Sequence, residues 1–382
     1  MNWRNGRRPG AALAAPIGLY LLLLSIGAGG PAFGAEPRRT RNLILVTADG
    51  LRWQEVFRGI DPALMNEKEA GMEQAEDLRN ALWADTPEER RRRLMPFFWS
   101  EIARNGVILG NRDAGSDMRV TNGIRISYPG YSEILTGRAQ DDLVHGNDPI
   151  QNPSETILEF LRRKWNLPKE KAALIGSWDT FQKIGEHTPG TVFINSGFQK
   201  LDGGRYSRRL GELSAMQFDL VTAWDSVRHD YITFEMAREY LRTRKPRVMH
   251  IALGETDDWA HDRRYDLTLK TASYFDRCLA ELWKLLQSES FYRGKTTLIV
   301  TSDHGRGSTL ADWTSHGAKV EGAEFIWAAF MGPDTPPAGE ARNSDTYYQR
   351  DIAPTMLELA GIDYTEMDGV QGKPIPIAAV GR

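Results

Sequence analysis

The chain has 382 residues, 41% hydrophobic and 26% charged, with a formal net charge of −3. This is ordinary globular material, long enough for one large or two smaller domains, and it lacks the basic field that nucleic-acid binding uses. The single cysteine, Cys278, excludes an internal disulfide and a cysteine-built structural zinc.

In chain order, residues 1–35 read as an export signal. Arg4, Arg7 and Arg8 form a basic start, Ala11 to Ile26 is apolar, and small residues precede a cut near Ala35. The apolar run is short for a membrane span, which needs about 20 residues. The expectation is a mature protein outside the cytoplasm, periplasmic or secreted, with no anchor after cleavage. Residues 36–382 are expected to form a single domain. Within it, continuous apolar runs at Asn42–Thr47, Ala172–Gly176, Arg247–Leu253, Thr297–Thr301 and Phe325–Met331 predict buried strands. Amphipathic stretches at Pro96–Ala103, Glu155–Trp165, Tyr231–Arg242, Asp266–Ser288 and Arg350–Ala360 predict helices between them. Cys278 lies on the apolar face of the fourth. The alternation predicts an α/β three-layer sandwich, a mostly parallel sheet with helices on both faces. Residues 55–95, polar up to the four arginines at 90–93, read as a solvated helical insertion. Residues 183–225, rich in Gly, Ser and Arg, read as a loop or cap.

The chemistry-bearing residues sit just past predicted strands. Asp49 follows the first, in "TADGLR"; Asp257 and His261 follow the third, in "GETDDWAH"; Asp303 and His304 follow the fourth, in "TSDHGRG". His316 lies on the next loop. In open α/β sheets the ligand crevice lies at the carboxyl ends of the strands, so these residues are expected to meet. Carboxylates and imidazoles are zinc ligands, and Asp257 and His261, four apart, share a helix face. Alone, an Asp-Gly is a turn and a histidine is an ordinary hydrogen-bonding residue. Together, with three of the chain's seven histidines in these motifs, they point to divalent metal. Three imidazoles favour zinc over manganese or calcium.

A nucleophile is sought nearby. In "RISYPGYSEILTG" Pro129 and Gly137 bracket a short helix, Pro129 to Thr136, and put Ser127 at its N-terminus, where free amides and the helix dipole favour a phosphoryl group. The plainer role for Ser127 is a helix cap. Ser132 and Thr136 fall inside the helix and are weaker rivals. Asp258 and Glu255 are candidates for orienting the ligating histidines. His187 belongs to no motif.

From Asn42 to about Ile362 these residues resemble the alkaline phosphatase superfamily, and within it the type I phosphodiesterase/nucleotide pyrophosphatase branch. The resemblance implies that Asp49, Ser127, Asp303 and His304 hold one metal ion and Asp257, His261 and His316 the other. It implies a phosphoester hydrolase with Ser127 as nucleophile, acting on a small phosphoester. Arg125, the Tyr128 amide, Asn147 and Arg306 are candidate substrate contacts. A phosphoryl transferase or mutase, a sulfatase-like hydrolase and a metal-binding protein without turnover are the alternatives. Tyr131, where sulfatases carry an arginine, argues against ordinary sulfatase chemistry.

Overall fold

The computed structural model describes residues 38–73, 75–201 and 205–380; the predicted export signal lies outside them. An eight-stranded sheet runs through the domain. Its strands are β1 (Asn42–Ala48), β2 (Val107–Leu109), β4 (Ala172–Gly176), β5 (Phe193–Ser196), β6 (Val248–Leu253), β7 (Thr296–Thr301), β8 (Ala328–Met331) and β9 (Gly339–Glu340), in the order β5-β4-β6-β1-β7-β8-β2-β9. All pairings are parallel except those of β8 with β7 and with β2. A small separate ladder joins β3 (Asp117–Arg119) to β10 (Thr346–Tyr348).

Burial on both faces explains the unbroken apolar runs. Every residue of β1 is buried. Its side chains alternate: Ile44 and Val46 join a core with Phe57, Leu269, Phe275 and Trp327. Leu43 and Leu45 join the opposite core with Ile134, Leu158, Phe160 and Met356. The helix Tyr265–Ser288 covers the first face with Leu269, Ala272, Phe275, Leu279, Leu282 and Leu286, a stripe at three- and four-residue spacing. Cys278 is buried in the same stripe. On the other face, the helix Ile157–Lys164 begins in a capping box, in which the Thr156 and Glu159 side chains each accept from the other's backbone amide.

Several expectations need correction. Residues 183–225 are more than a loop: β5 extends the sheet and Arg208–Met216 is helical. The four-residue strand is too short, and too closely flanked by Gly and Ser, to give a periodic signal. Residues 55–95 form short helices as expected, but the arginine run is not fully solvated. Arg91 is buried, its guanidinium 3.6 Å from the Trp99 ring centroid and 2.8 Å from Glu340. Arg90, also buried, donates to the carbonyls of Ala84 and Asp85 at 3.1 and 3.2 Å. Phe325–Trp327 precede β8 rather than joining it; Phe325 instead bridges to Arg119.

Candidate metal centre

Three neighbouring strands deliver the cluster. In register, Thr47 of β1 stands between Ala252 of β6 and Thr301 of β7. The chain therefore leaves β1, β6 and β7 at one level, at the carboxyl edge where an open sheet makes its crevice. Asp49 comes two residues past Thr47, and Asp303 and His304 come just past Thr301. Asp257 and His261 sit on the short helix Glu255–His261 that follows β6.

All seven sequence-selected residues form one continuous cluster, with the fully buried His304 at its centre. Its Nε2 lies 3.3 Å from Asp49 Oδ1, 3.4 Å from Asp303 Oδ2, 3.7 Å from Asp257 Oδ1 and 3.4 Å from Ser127 Oγ. His261 Nε2 is 3.0 Å from Asp257 Oδ2 and 3.0 Å from His316 Nε2. The His304 and His316 rings stack with centroids 3.9 Å apart. Two ligand-like groupings emerge: Asp49, Asp303 and His304, and Asp257, His304 and His316. His304 thus borders both, a sharing that sequence order alone does not reveal, and the half-exposed His261 sits at the rim.

The electrostatics fit a cation. Burial, and then repulsion from Asp257, push the Asp49 carboxyl well above the carboxylate range. Burial and the neighbouring Asp49 do the same to Asp303. Asp257 goes the other way: burial alone would raise it, but Arg306 beside it holds it well below the usual range. Burial, and then the adjacent His304, lower His316 to about 2, which keeps its imidazole neutral, the form that binds metal. Asp49 Oδ1 and Asp303 Oδ2 are buried without any hydrogen-bond partner. Orphaned carboxylate oxygens this deep are costly, and a divalent ion beside them supplies the missing partner.

Two features hold this arrangement. Tyr131, fully buried, donates from its hydroxyl to Asp49 Oδ2 at 3.1 Å. The Gly50 amide donates to Asp303 Oδ1 at 3.0 Å. The helix Ser127–Thr136 also approaches Asp303 closely enough that a Cβ on Gly130 would fall 2.3 Å from the Asp303 carbonyl oxygen. Glycine there lets the Ser127 helix lie against the Asp303 turn.

Ser127 opens its helix but does not cap it; Ile126 holds the cap position, without a side-chain bond. The helix start offers fewer free amides than expected, since Tyr128 N donates to Asn147 Oδ1 at 2.9 Å and Gly130 N to the Ile126 carbonyl at 3.0 Å. Ser132 and Thr136 bond within their own region, Ser132 Oγ receiving Gln140 and Thr136 Oγ1 donating to the Ser132 carbonyl. Of the candidate substrate contacts, Asn147 lines the cleft. Arg306 does not reach it: it is 1% exposed and donates to Asp257 and to the Thr314 carbonyl. Arg125 pairs with Glu324 at 3.2 Å. Glu255 orients no member of the cluster; it binds His229 at 2.6 Å. Asp258 lines the cleft, with Oδ2 buried and unpartnered. His187 bonds to the Asn152 carbonyl, outside the cluster.

The cleft encloses about 200 Å³. Asp49, Ser127, Asp257, His261 and His316 line it together with Asn147, Trp178 and Asp258, and no lysine or arginine is among its described lining residues.

Comparison with known proteins agrees with this fold. A family model, the Metalloenzyme superfamily, matches residues 217–364, a span that includes Asp257, His261, Asp303, His304 and His316. No curated protein matches the chain in sequence. Among solved structures, the wild-type alkaline phosphatase PafA is 12% identical, with a TM-score of 0.56 over 90% of this chain and 99% of its own. A phosphonate monoester hydrolase, SpPMH from Silicibacter pomeroyi, is 13% identical, with a TM-score of 0.53 over 88% and 76%. A protein in the alkaline phosphatase superfamily from Vibrio parahaemolyticus is 16% identical, with a TM-score of 0.50 over 88% and 71%. At such identities the likeness is one of fold, and it does not single out the phosphodiesterase branch. The chain thus matches the Metalloenzyme superfamily model over residues 217–364 and shares its fold with proteins of the alkaline phosphatase superfamily.

Proposed function

We propose that the protein is an exported phosphoester hydrolase that uses Ser127 as nucleophile and two divalent metal ions, zinc by the character of the donors. One observation supports the reading: a hydroxyl, three carboxylates and three imidazoles form one cluster, and five of the seven side chains line one cleft. Asp49, Ser127, Asp303 and His304 would hold one ion, and Asp257, His261 and His316 the other, with His304 adjoining both groups. When bound, the ions supply Lewis-acid stabilisation of charge on the phosphoryl, attacking and leaving oxygens. The protein contributes the positioning. Ser127 Oγ attacks phosphorus, a Ser–O–P bond forms, and the ester alcohol departs. Water then cleaves that bond and restores the hydroxyl. The Ser127 helix directs its positive dipole end at the phosphoryl group. Asn147, its Oδ1 held by the Tyr128 amide, turns its NH₂ toward a phosphoryl oxygen. Arg306 and Tyr131 act from beneath, fixing Asp257 and Asp49. Export rests on the sequence of residues 1–35, and among the described residues no helix is long and apolar enough to cross a membrane.

The lining favours diesters. A monoester brings two negative charges and a diester one, and beyond the two ions no lysine or arginine among the described lining residues faces the second charge. The expected result is a kcat/KM for bis-nitrophenyl phosphate at least about tenfold above that for nitrophenyl phosphate, a difference of about 1.4 kcal/mol in transition-state binding. Nitrophenyl sulfate, assayed in parallel, is expected to be slower than both. A monoester preference would contradict the diester reading, and dominant sulfatase activity would contradict phosphoester specificity altogether.

A further inference from the structure

The strongly exposed large apolar side chains of the described residues are not scattered. Leu143 and Ile150, 47% and 44% exposed, bracket Asn147 on the loop after the Ser127 helix. Met216, Phe218, Leu220 and Val221 follow one another shortly before Ser226 and Val227, which line the cleft; Phe218 is 49% and Val221 94% exposed. Tyr231, 51% exposed, begins the next helix. Isolated exposed apolar residues are normal on any surface, but their concentration on the segments that build one cleft is not.

Both segments are tied to the elements that carry the metal-site residues. Tyr128, next to Ser127, donates its amide to Asn147 at 2.9 Å and its hydroxyl to the Ile150 carbonyl at 2.8 Å. His229 spans the Val221 carbonyl at 3.0 Å and Glu255 at 2.6 Å, and Glu255 opens the helix that bears Asp257. The cleft itself is lined in part by Trp178 and Val227. A substrate too large for the cleft extends beyond it, and these two segments adjoin its lining residues Asn147, Ser226 and Val227 in the chain.

We propose that the substrate is an amphiphilic phosphodiester, with its phosphoryl group in the cleft and a long alkyl or acyl chain against the loops of Leu143 and Ile150 and of Met216 to Val221. This rests on the hydrolase reading above and names its substrate class. The reaction is hydrolysis: one P–O ester bond breaks, and water gives its hydroxyl to phosphorus and its proton to the departing alcohol. Because the chain leaves water as it binds, kcat/KM should rise with chain length and level off once the chain outgrows the loops.

A series of alkyl nitrophenyl phosphate diesters, methyl to dodecyl, held below micelle-forming concentrations, tests this. The expected rise in kcat/KM from methyl to dodecyl is at least about tenfold. The triple variant Phe218→Ser, Leu220→Ser, Val221→Ser should flatten that rise while leaving the methyl diester within about twofold of wild type. Leu143→Ser, on the other loop, is an independent variant expected to lower the slope in the same direction. Flotation with phosphatidylcholine vesicles separates two sources of the same chemistry. Binding that the triple variant loses assigns lipids resident in a bilayer; a chain-length slope without flotation assigns dispersed amphiphiles. A flat series with the methyl diester still cleaved overturns this inference and leaves the hydrolase reading standing. A flat series together with self-association abolished by the triple variant would assign the surface to a second copy and also overturn it. No cleavage of any diester overturns both.

Discussion

Ser127→Ala is expected to lower kcat on a nitrophenyl diester by at least about a thousandfold, or about 4 kcal/mol of transition-state stabilisation, while metal content stays at the wild-type value. The argument is geometric. Ser127 Oγ is the hydroxyl that meets the cluster, 3.4 Å from His304 Nε2, whereas Ser132 receives Gln140 and Thr136 donates to the Ser132 carbonyl. Alanine removes one oxygen, keeps the helix start and adds no volume, so the remaining acidic and imidazole side chains keep their places. Residual turnover would come from binding and the metal ions alone. Activity above about a tenth of wild type would remove Ser127 from the nucleophile's role. Loss of metal together with activity would recast it as chiefly a ligand.

His304→Ala carries the second largest expectation: metal affinity falls more than about a hundredfold and stoichiometry drops below two. The imidazole lies within 3.7 Å of all three carboxylates, and it belongs to both ligand groupings. Its removal leaves Asp49 and Asp303, already resistant to ionisation through burial, without their nearest imidazole. His261→Ala is the contrast. Its side chain is 48% exposed and contacts only the Asp257 and His316 side of the cluster. It should weaken one ion and leave the other in place. Metal analysis after dialysis, read beside activity, distinguishes the two. Equal losses from both substitutions would contradict the central place given to His304.

The sequence discloses this site because topology does most of the assembly. Asp49, Asp257, Asp303 and their histidines each come soon after an apolar run, and a parallel sheet brings the ends of β1, β6 and β7 to one edge. Strands buried on both faces announce themselves; strands of two to four residues such as β2, β5 and β9 do not, since neither period nor length distinguishes them from loop. What lay beyond reading were contacts between side chains far apart in the chain. Nothing near Arg306 signals that Asp257 will claim it, and nothing near Glu255 signals His229. Tyr131 was legible as the residue that replaces an arginine, but not as the donor to Asp49. Gly130 holds a fuller lesson: its local sequence reads as a helix start, whereas its lack of a side chain serves the approach of Asp303, more than 170 positions later in the chain.

The most direct measurement is anomalous scattering at the zinc edge from crystals of the protein loaded with zinc. The account predicts two peaks about 4 Å apart, one among Asp49, Ser127, Asp303 and His304 and the other among Asp257, His261 and His316. A single peak, or peaks away from these side chains, would contradict it.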